Sequence, residues 1–342
     1  MNSKAIPLVE VDGLKMHFSM KGGAFSRRQG VIKAVDDINF KIYPNETFGL
    51  VGESGCGKTT VGRAILKAME PTGGKVVYQR KNGDKVDLVP LNQKQLRPIR
   101  QEVQMIFQDP YSSLSPRMTV QEILEEPLRL AGIKDKKYLY EQAKEMIQQV
   151  GLRASHLMRY PHAFSGGQRQ RIGIARALIT RPRFIVADEA VSALDVSVQA
   201  QILEILSELK EKFDLSYLFI SHDLSVVKYL CDRVGVMYLG RIVEVADTDV
   251  LYNKPLHPYT EALMHAIPDI EERSIRSDIL GGEIPDAANP PSGCAFHNRC
   301  KYCKEICKTK TPELKTFSET HNGEEILRQS ACHLAEEIYL KQ

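Results

Sequence analysis

The chain has 342 residues, of which 43% are hydrophobic and 26% charged, and its formal net charge is +3. This composition indicates a globular protein of about two domains, and the small charge gives no support for nucleic-acid or anionic-membrane binding. Because the sequence lacks both a run of roughly eighteen apolar residues and a signal-peptide core, we expect the chain to stay in the cytoplasm.

The N-terminal third predicts strands. Residues 6–11 alternate like an edge strand, and a glycine- and arginine-rich loop separates them from a β-branched segment. A short buried strand then precedes a segment with helical spacing that begins near Thr60. The strands that we predict in this part of the chain lie at residues 6–11, 31–42, 47–51, 75–78 and 103–107.

The middle of the chain changes to a helical pattern. Between about residues 109 and 178 the apolar residues follow the spacing of amphipathic helices, which indicates a helical insertion. Strands and helices alternate again from residue 184, and this predicts an α/β fold with a mainly parallel sheet. The later elements are strands at 184–187, 217–220 and 234–238 and helices at 197–213 and 224–230.

Residues 52–59 form the pattern G-x-x-x-x-G-K-[ST], a phosphate-binding loop (P-loop) between a strand and a helix. Its glycines let backbone N–H groups approach phosphate oxygens at the positive end of the helix. We expect Lys58 to reach the β- and γ-phosphates and the Thr59 hydroxyl to hold Mg²⁺. The predicted nucleotide contacts are Gly52, Glu53, Ser54, Gly55, Cys56, Gly57, Lys58, Thr59 and Thr60.

Four polar residues follow other predicted strands, where parallel sheets bind ligands. Asp188 is placed to hold Mg²⁺, and Glu189 to polarise an attacking water. Gln108 can reach both the Mg²⁺ and that water, and His222 can donate to the γ-phosphate. The sequence therefore predicts a nucleotide-hydrolysing site at this edge of the sheet.

A second anion site is predicted at the start of a helix, in Phe164-Ser-Gly-Gly-Gln168. Ser165 and Gln168 have the spacing of a capping box, and the helix start offers backbone N–H groups. Two phosphate-binding segments so far apart in one chain suggest that two chains share each nucleotide. The residues predicted to contribute are Ser165, Gly166, Gly167 and Gln168.

These motifs resemble those of ABC-transporter ATPases, and they occur in that family's order. The resemblance implies ATP as the nucleotide and a head-to-tail dimer, with ATP between one P-loop and the partner's signature segment at residues 164–168. It implies that Asp195, in the D-loop, contributes to the site and that Phe18 stacks on adenine, with Phe25 as a rival. The catalytic residues that it implies are Glu189, His222, Lys58 and Gln108.

A narrower resemblance is to the F-type ATPase subunit of bacterial oligopeptide and dipeptide importers. It is carried by Phe107-Gln-Asp-Pro-Tyr-Ser-Ser-Leu-Ser-Pro116, by Ser165–Arg171 and by His257-Pro-Tyr-Thr260. It implies import of peptides, a paralogous D-type ATPase subunit as heterodimer partner, two transmembrane permease subunits and an extracellular binding protein. The chain would then lie at the cytoplasmic face of the bacterial inner membrane, with no nucleic-acid partner. Its permease contact would be the groove between the helical insertion and the Gln108 loop, which Tyr111 could line.

Two broader alternatives remain, besides import of nickel chelates or oligosaccharides by the same family. One is an ABC ATPase of DNA repair or translation, although those proteins usually carry coiled-coil insertions or two cassettes. The other is an iron–sulfur redox protein with a regulatory P-loop. We place the ABC nucleotide-binding domain at residues 1–255 and an irregular, cysteine-rich C-terminal extension at 256–342.

Five of the seven cysteines lie in that extension, and this density indicates a metal site in a reducing compartment. The spacing alone leaves a [4Fe–4S] cluster, zinc and no metal open. The resemblance favours a [4Fe–4S] cluster, with Cys303 as a spare thiol, and Cys231 elsewhere is interpreted as a packing residue. The implied cluster ligands are Cys294, Cys300, Cys307 and Cys332.

Overall fold

The computed structural model of the chain describes residues 6–20, 30–266, 283, 285–321 and 324–340. In this part of the chain two sheets form, a four-stranded sheet in the order β2-β1-β4-β5 and an eight-stranded sheet in the order β11-β12-β10-β9-β3-β8-β7-β6. The strands are β1 (Val9–Met20), β2 (Gly30–Ile42), β3 (Thr47–Val51), β4 (Gly73–Gln79), β5 (Lys85–Asp87), β6 (Val103–Ile106), β7 (Phe184–Asp188), β8 (Ser216–Ile220), β9 (Arg233–Tyr238), β10 (Arg241–Asp247), β11 (Lys315–His321) and β12 (Glu324–Ser330).

The helices lie between and beside these strands. The first begins at the P-loop lysine, three form the middle of the chain, and a short one lies in the cysteine-rich segment. They are α1 (Lys58–Ile65), α2 (Gln93–Ile99), α3 (Val120–Leu130), α4 (Lys136–Gln149), α5 (Gly166–Leu178), α6 (Val196–Phe213), α7 (Leu224–Leu230), α8 (Thr248–Asn253), α9 (Pro258–His265) and α10 (Glu305–Thr309).

The large sheet contains a parallel block, as the strand–helix alternation predicts. Strand β3 pairs in parallel with β8 and β9, while β7 pairs in parallel with β6 and β8. All residues of β3, β7 and β8 are buried, as is usual for parallel strands covered by helices on both faces. The predicted mixed α/β architecture is therefore confirmed.

The small sheet differs from the prediction in the position of its first strand. Strand β1 runs from Val9 to Met20 and pairs antiparallel with both β2 and β4, so it is not an edge strand. Its second neighbour, β4, is about sixty residues further along the chain, and alternation within one strand cannot show whether a distant strand will pair with it.

The helical insertion is formed by α3, α4 and α5, whose starts are capped by side chains. Thr119 and Ser165 each form a capping box, and the Asp135 carboxylate accepts hydrogen bonds from backbone N–H groups of α4. The apolar faces of these helices share one core with the parallel strands. The α2 helix, which the sequence prediction missed, begins with a capping box of Asn92 and Gln95.

The described part of the C-terminal extension contains more regular secondary structure than predicted. It contains α9 and α10, and strands β11 and β12 form a hairpin that extends the large sheet. The connection is made by β12, which pairs antiparallel with β10 through Glu244↔Ser330 and Val245↔Gln329. The expected irregular extension thus shares a sheet with the ATPase core. Among the described helices, none has the length and apolar character that a bilayer crossing needs.

Candidate functional site

Parallel pairing of β3, β8, β7 and β6 aligns the carboxyl ends of four strands at one sheet edge. The P-loop follows β3, Asp188 ends β7, and Gln108 and His222 each come two residues after their strands. The predicted residues of four separate segments are therefore gathered where open α/β sheets bind ligands.

The P-loop takes a backbone conformation that only glycine tolerates at two positions. Gly52 has a φ of 150° and Gly57 a φ of 109°. A Cβ at Gly52 would lie 2.1 Å from the Met237 carbonyl oxygen, and one at Gly57 would lie 2.1 Å from the Ala34 carbonyl oxygen. The loop is therefore packed against its surroundings as closely as a glycine backbone permits.

Lys58 is held inside the P-loop by backbone carbonyls. Its ammonium group donates to the carbonyl oxygens of Gly52 at 2.7 Å and of Glu53 at 3.0 Å, and the residue is buried. The Cys56 sulfur lies 3.7 Å from the same ammonium, and burial raises the pKa of that thiol. The cation is thus fixed at the start of α1, where the helix dipole also favours an anion.

Thr59 and Asp188 meet as a pair suited to a hard cation. The Thr59 hydroxyl donates to the Asp188 carboxylate at 2.7 Å. Asp188 is buried, and this burial raises the pKa of its carboxyl group, although the Thr59 hydrogen bond lowers it. A buried carboxylate beside a hydroxyl provides oxygen donors of the kind that Mg²⁺ prefers, so these residues fit the predicted Mg²⁺.

Glu189 is contacted by both of the other predicted polar residues. Its carboxylate accepts a hydrogen bond from the Gln108 amide at 2.7 Å and lies 3.2 Å from Nδ1 of His222. Glu189 has a φ of 45°, which non-glycine residues rarely adopt and which often marks a functional position. The structure thus brings Gln108, Glu189 and His222 into one group beside Asp188.

The segment at 164–168 has the predicted helix-start geometry. The Ser165 hydroxyl accepts from the Gln168 N–H at 3.4 Å, and the Gln168 side chain accepts from the Ser165 N–H at 3.2 Å. A Cβ on Gly167 would lie 2.4 Å from the Val198 side chain, and one on Gly166 would lie 3.7 Å from the Tyr111 hydroxyl. The side-chain hydrogen bonds of Ser165 and Gln168 stay within the helix start.

Three other predicted contacts lie on β1, on α1 and at the start of α6. Phe18 is partly buried on β1 and packs against the core beneath the small sheet. Asp195 is exposed at the start of α6 and forms no side-chain cap there. Thr60 lies in the first turn of α1. Phe25 falls outside the described residues.

The four predicted cluster cysteines gather in the C-terminal segment as free thiols. Burial raises the pKa of Cys294 to about 11 and that of Cys332 to about 12, and the neighbouring thiols of Cys300 and Cys307 add to both rises. However, the described residues contain no group of three or more His, Cys, Asp or Glu residues arranged to hold a metal ion. The structure therefore does not support the predicted cluster or its zinc alternative, because proximity of the thiols is not a coordinating geometry.

Sequence reasoning assigned no role to Tyr259, whose hydroxyl accepts a hydrogen bond from the Glu53 N–H at 2.9 Å. The only local signal was the His257-Pro-Tyr segment, where His257 caps α9 and Pro258 is its first residue. That pattern predicts the start of a helix but not a contact with the P-loop, which is 206 positions away in sequence.

Comparison with known proteins decides the family. A model described as "ABC transporter" matches residues 35–192, and one described as "Oligopeptide/dipeptide transporter, C-terminal region" matches residues 243–307. The chain is 46% identical to the oligopeptide transport ATP-binding protein AppF of Bacillus subtilis (strain 168), over 96% of this chain and 97% of that protein. The chain belongs to the ABC transporter ATP-binding family. It is thus an ABC-type ATPase, for which ATP with Mg²⁺ is expected.

Solved structures agree with this assignment. The ATP-binding cassette MJ0796, in a dimeric post-hydrolysis state bound to ADP and Pi, is similar with a TM-score of 0.61 at 26% identity, over 70% of this chain and 98% of that one. The cbiO1 structure from Clostridium perfringens, part of the ABC transporter complex cbiONQ, has a TM-score of 0.60 at 21% identity, over 72% and 91%. At 21% identity, the cbiO1 structure supports the ABC ATPase fold alone.

Proposed function

We propose that this ABC ATPase powers the import of dipeptides or oligopeptides through a membrane transporter. The observation that carries the proposal is the match of its C-terminal region to that of oligopeptide and dipeptide transporters. The similarity to AppF over nearly the whole of both chains supports the same cargo class. Nickel chelates and oligosaccharides are less favoured cargoes, which a transport assay would distinguish.

The catalytic roles follow from the contacts at the sheet edge. Glu189 accepts the proton of the attacking water, and Gln108 and His222 orient its carboxylate from two sides. Lys58 stabilises negative charge on the phosphates, and bound Mg²⁺ would neutralise further phosphate charge. Thr59, Asp188 and Gln108 are the residues that would hold this ion.

A dimer completes the nucleotide site. The 164–168 segment presents helix N–H groups whose partner would be the ATP held by another subunit's P-loop. Asp195 and Phe18 are assigned to the same shared site, Asp195 at the subunit boundary and Phe18 against adenine. We assign the second subunit to a paralogous D-type ATPase, and the dimer MJ0796 shows that a related cassette can pair.

An apolar groove supports contact with a permease. It has a volume of about 610 Å³ and lies between the Gln108 loop and the helical insertion. Tyr111 is not among the residues that line it; its ring lies instead under the Arg169 guanidinium, 4.2 Å away. We assign this groove to a helix of the permease pair, at the cytoplasmic membrane face. The apolar residues that line the groove include Met105, Phe107, Leu114, Pro127, Leu130 and Ala177, and its charged lining residues are Arg97, Arg100, Glu126 and Arg176.

Purification of the tagged chain from membranes of its own cells tests the transport function. We expect two permeases, a second ATPase and a peptide-binding protein to co-purify, and the reconstituted assembly to import labelled peptides with ATP. Co-purification with DNA-repair or translation factors instead would contradict the proposal. Uptake of a nickel chelate or an oligosaccharide without peptide uptake would keep the transporter and change its cargo.

We also propose that the gathered cysteines bind a [4Fe–4S] cluster. The density of cysteines in this segment supports this assignment, and so does the Leu334 N–H, which donates to the Cys332 sulfur at 3.4 Å, as such groups do to cluster ligands. Replacing Cys300 and Cys332 with serine should remove iron and make the C-terminal segment more sensitive to protease, whereas Cys303→Ser should not. Unchanged iron content and resistance would contradict the cluster.

A further inference from the structure

A salt bridge joins the cysteine-rich segment to the P-loop. The two terminal guanidinium nitrogens of Arg299 contact the two carboxylate oxygens of Glu53, at 2.8 and 2.9 Å. The Arg299 side chain is 4% exposed and that of Glu53 is 19% exposed. A bidentate, largely buried pair of this kind holds both side chains in a defined geometry, which an exposed surface pair does not.

Aromatic residues contact the Arg299 side of this salt bridge. The Arg299 guanidinium lies 5.9 Å from the Tyr238 ring and 5.8 Å from the Phe296 ring, and it donates to the Tyr238 hydroxyl at 3.4 Å. The rings of Tyr238, Tyr259 and Phe296 contact one another. Since Tyr259 also accepts from the Glu53 N–H, Glu53 is held at both its backbone and its side chain.

Glu53 in turn contributes to the internal structure of the P-loop. Its carbonyl oxygen accepts from the Lys58 ammonium at 3.0 Å and from the Cys56 N–H at 3.3 Å. The orientation of this one residue therefore affects both the lysine and the turn that presents N–H groups to phosphate. Without its partner, the Glu53 carboxylate would also be an uncompensated negative charge beside an anion site.

We propose that Arg299 is a positioning residue for ATP binding, through which the C-terminal segment holds the P-loop in its phosphate-binding shape and neutralises Glu53. Arg299 acts through Glu53, with no phosphate contact of its own. The proposal rests on the ATP site of an ABC ATPase and not on the peptide cargo. Its failure would therefore leave the proposed transport function unaffected, and a different cargo would leave this proposal unaffected.

The position of Arg299 ties this effect to the cysteine segment. Arg299 ends a 3₁₀ turn, His297–Arg299, that lies between two of the cysteines. The Cys294 carbonyl oxygen accepts from the His297 N–H at 3.0 Å, and Cys300 directly follows Arg299 in sequence. A change in the backbone around either cysteine would move the turn that carries the guanidinium.

Equilibrium binding of a fluorescent ATP analogue to the full-length chain tests the proposal. We expect Arg299→Gln to raise the Kd by about tenfold, and Arg299→Lys to raise it less, because a lysine cannot form the bidentate contact. Lys301→Ala is the matched control, since Lys301 lies in the same segment as Arg299 but forms its ion pair with Glu261 of α9 and not with the P-loop. In the assembled transporter, KM for ATP should rise while kcat changes by less than about twofold.

A double-mutant cycle with Glu53→Gln separates this role from general loss of structure. In the Glu53→Gln variant the salt bridge to Arg299 is already lost. Adding Arg299→Gln to that variant should therefore change the Kd by less than about twofold. Fully additive effects would overturn the proposal, as would a Kd for Arg299→Gln equal to that of Lys301→Ala. If Arg299→Gln does not fold, the test is made with Arg299→Lys. A Kd for Arg299→Lys equal to that of the parent chain would then overturn the proposal.

Discussion

Glu189 is the residue on which the hydrolysis mechanism depends most directly. It follows the last residue of β7, its backbone lies in a region that glycine favours, and its carboxylate contacts both Gln108 and His222. Within the part of the chain that the structure describes, the Glu189 carboxylate contacts these two polar groups and forms no ion pair with an arginine or lysine. The arrangement suits a base that must accept a proton from water.

Glu189→Gln should retain nucleotide binding and lose turnover. A glutamine preserves the shape of the side chain but cannot accept the proton, so kcat should fall by roughly 10²- to 10⁴-fold. ATPase assays of the assembled transporter, together with nucleotide binding by the purified chain, measure the two effects separately. The exposed Glu204→Gln on α6 is the control, and near-normal turnover of Glu189→Gln would remove Glu189 from this role.

Lys58→Ala should weaken nucleotide binding itself. The change removes a buried ammonium that two P-loop carbonyls hold beside the phosphate site, so the Kd for ATP should rise by roughly 10- to 100-fold. Titration of the purified chain with a fluorescent ATP analogue measures the loss. Lys94→Ala, on the exposed side of α2, should bind like the parent chain; equal binding by both variants would contradict the role of Lys58.

At the scale of elements, the cap of α9 connects stability to pH. His257 is buried, and its Nδ1 accepts from the Tyr259 N–H at 3.1 Å at the start of this helix. Burial lowers the pKa of His257 from 6.5 to about 3. The folded state therefore binds this proton less readily than the unfolded state, and acid shifts the equilibrium toward unfolding.

His257→Asn should make the chain less sensitive to acid. Below pH 6.5 and down to about pH 3, this histidine alone should lower the free energy of unfolding of the parent chain as pH falls, by up to about 1.4 kcal/mol per pH unit. Asparagine can keep the helix cap without titrating. Urea unfolding over this pH range compares the two slopes, and identical slopes would show that His257 does not titrate on unfolding.

At the scale of the whole molecule, one core connects the helical insertion to the parallel strands, and the C-terminal hairpin extends the same sheet. The groove between the Gln108 loop and the insertion lies beside the catalytic group. A protein bound in this groove would therefore touch the segment that carries Gln108. Because the groove and the Gln108 segment are adjacent, we propose that ATP hydrolysis is coupled to the permease through this segment.

Leu130→Asp should prevent assembly with the permeases and leave ATP binding intact. Leu130 lines the groove and is 62% exposed, so a charge there should disrupt an apolar contact with little cost in stability. Co-purification from membranes measures assembly. Met158→Asp, at an apolar position that is 70% exposed and does not line the groove, is the control; full assembly of the Leu130 variant would place the contact elsewhere.

The order and chemistry of the nucleotide motifs were determined by the sequence alone, because each motif combines a short residue pattern with an adjacent strand or helix. That is why Lys58, Thr59, Asp188, Glu189 and the cap at Ser165 could be predicted, and why their positions at strand ends and helix starts agree with the structure. Only the tertiary structure showed that the C-terminal hairpin joins the large sheet and that the gathered cysteines form no metal-holding group among the described residues. It alone also paired the P-loop with a residue 246 positions away in sequence. Such contacts depend on how distant segments pack together, and no local periodicity or spacing encodes that packing.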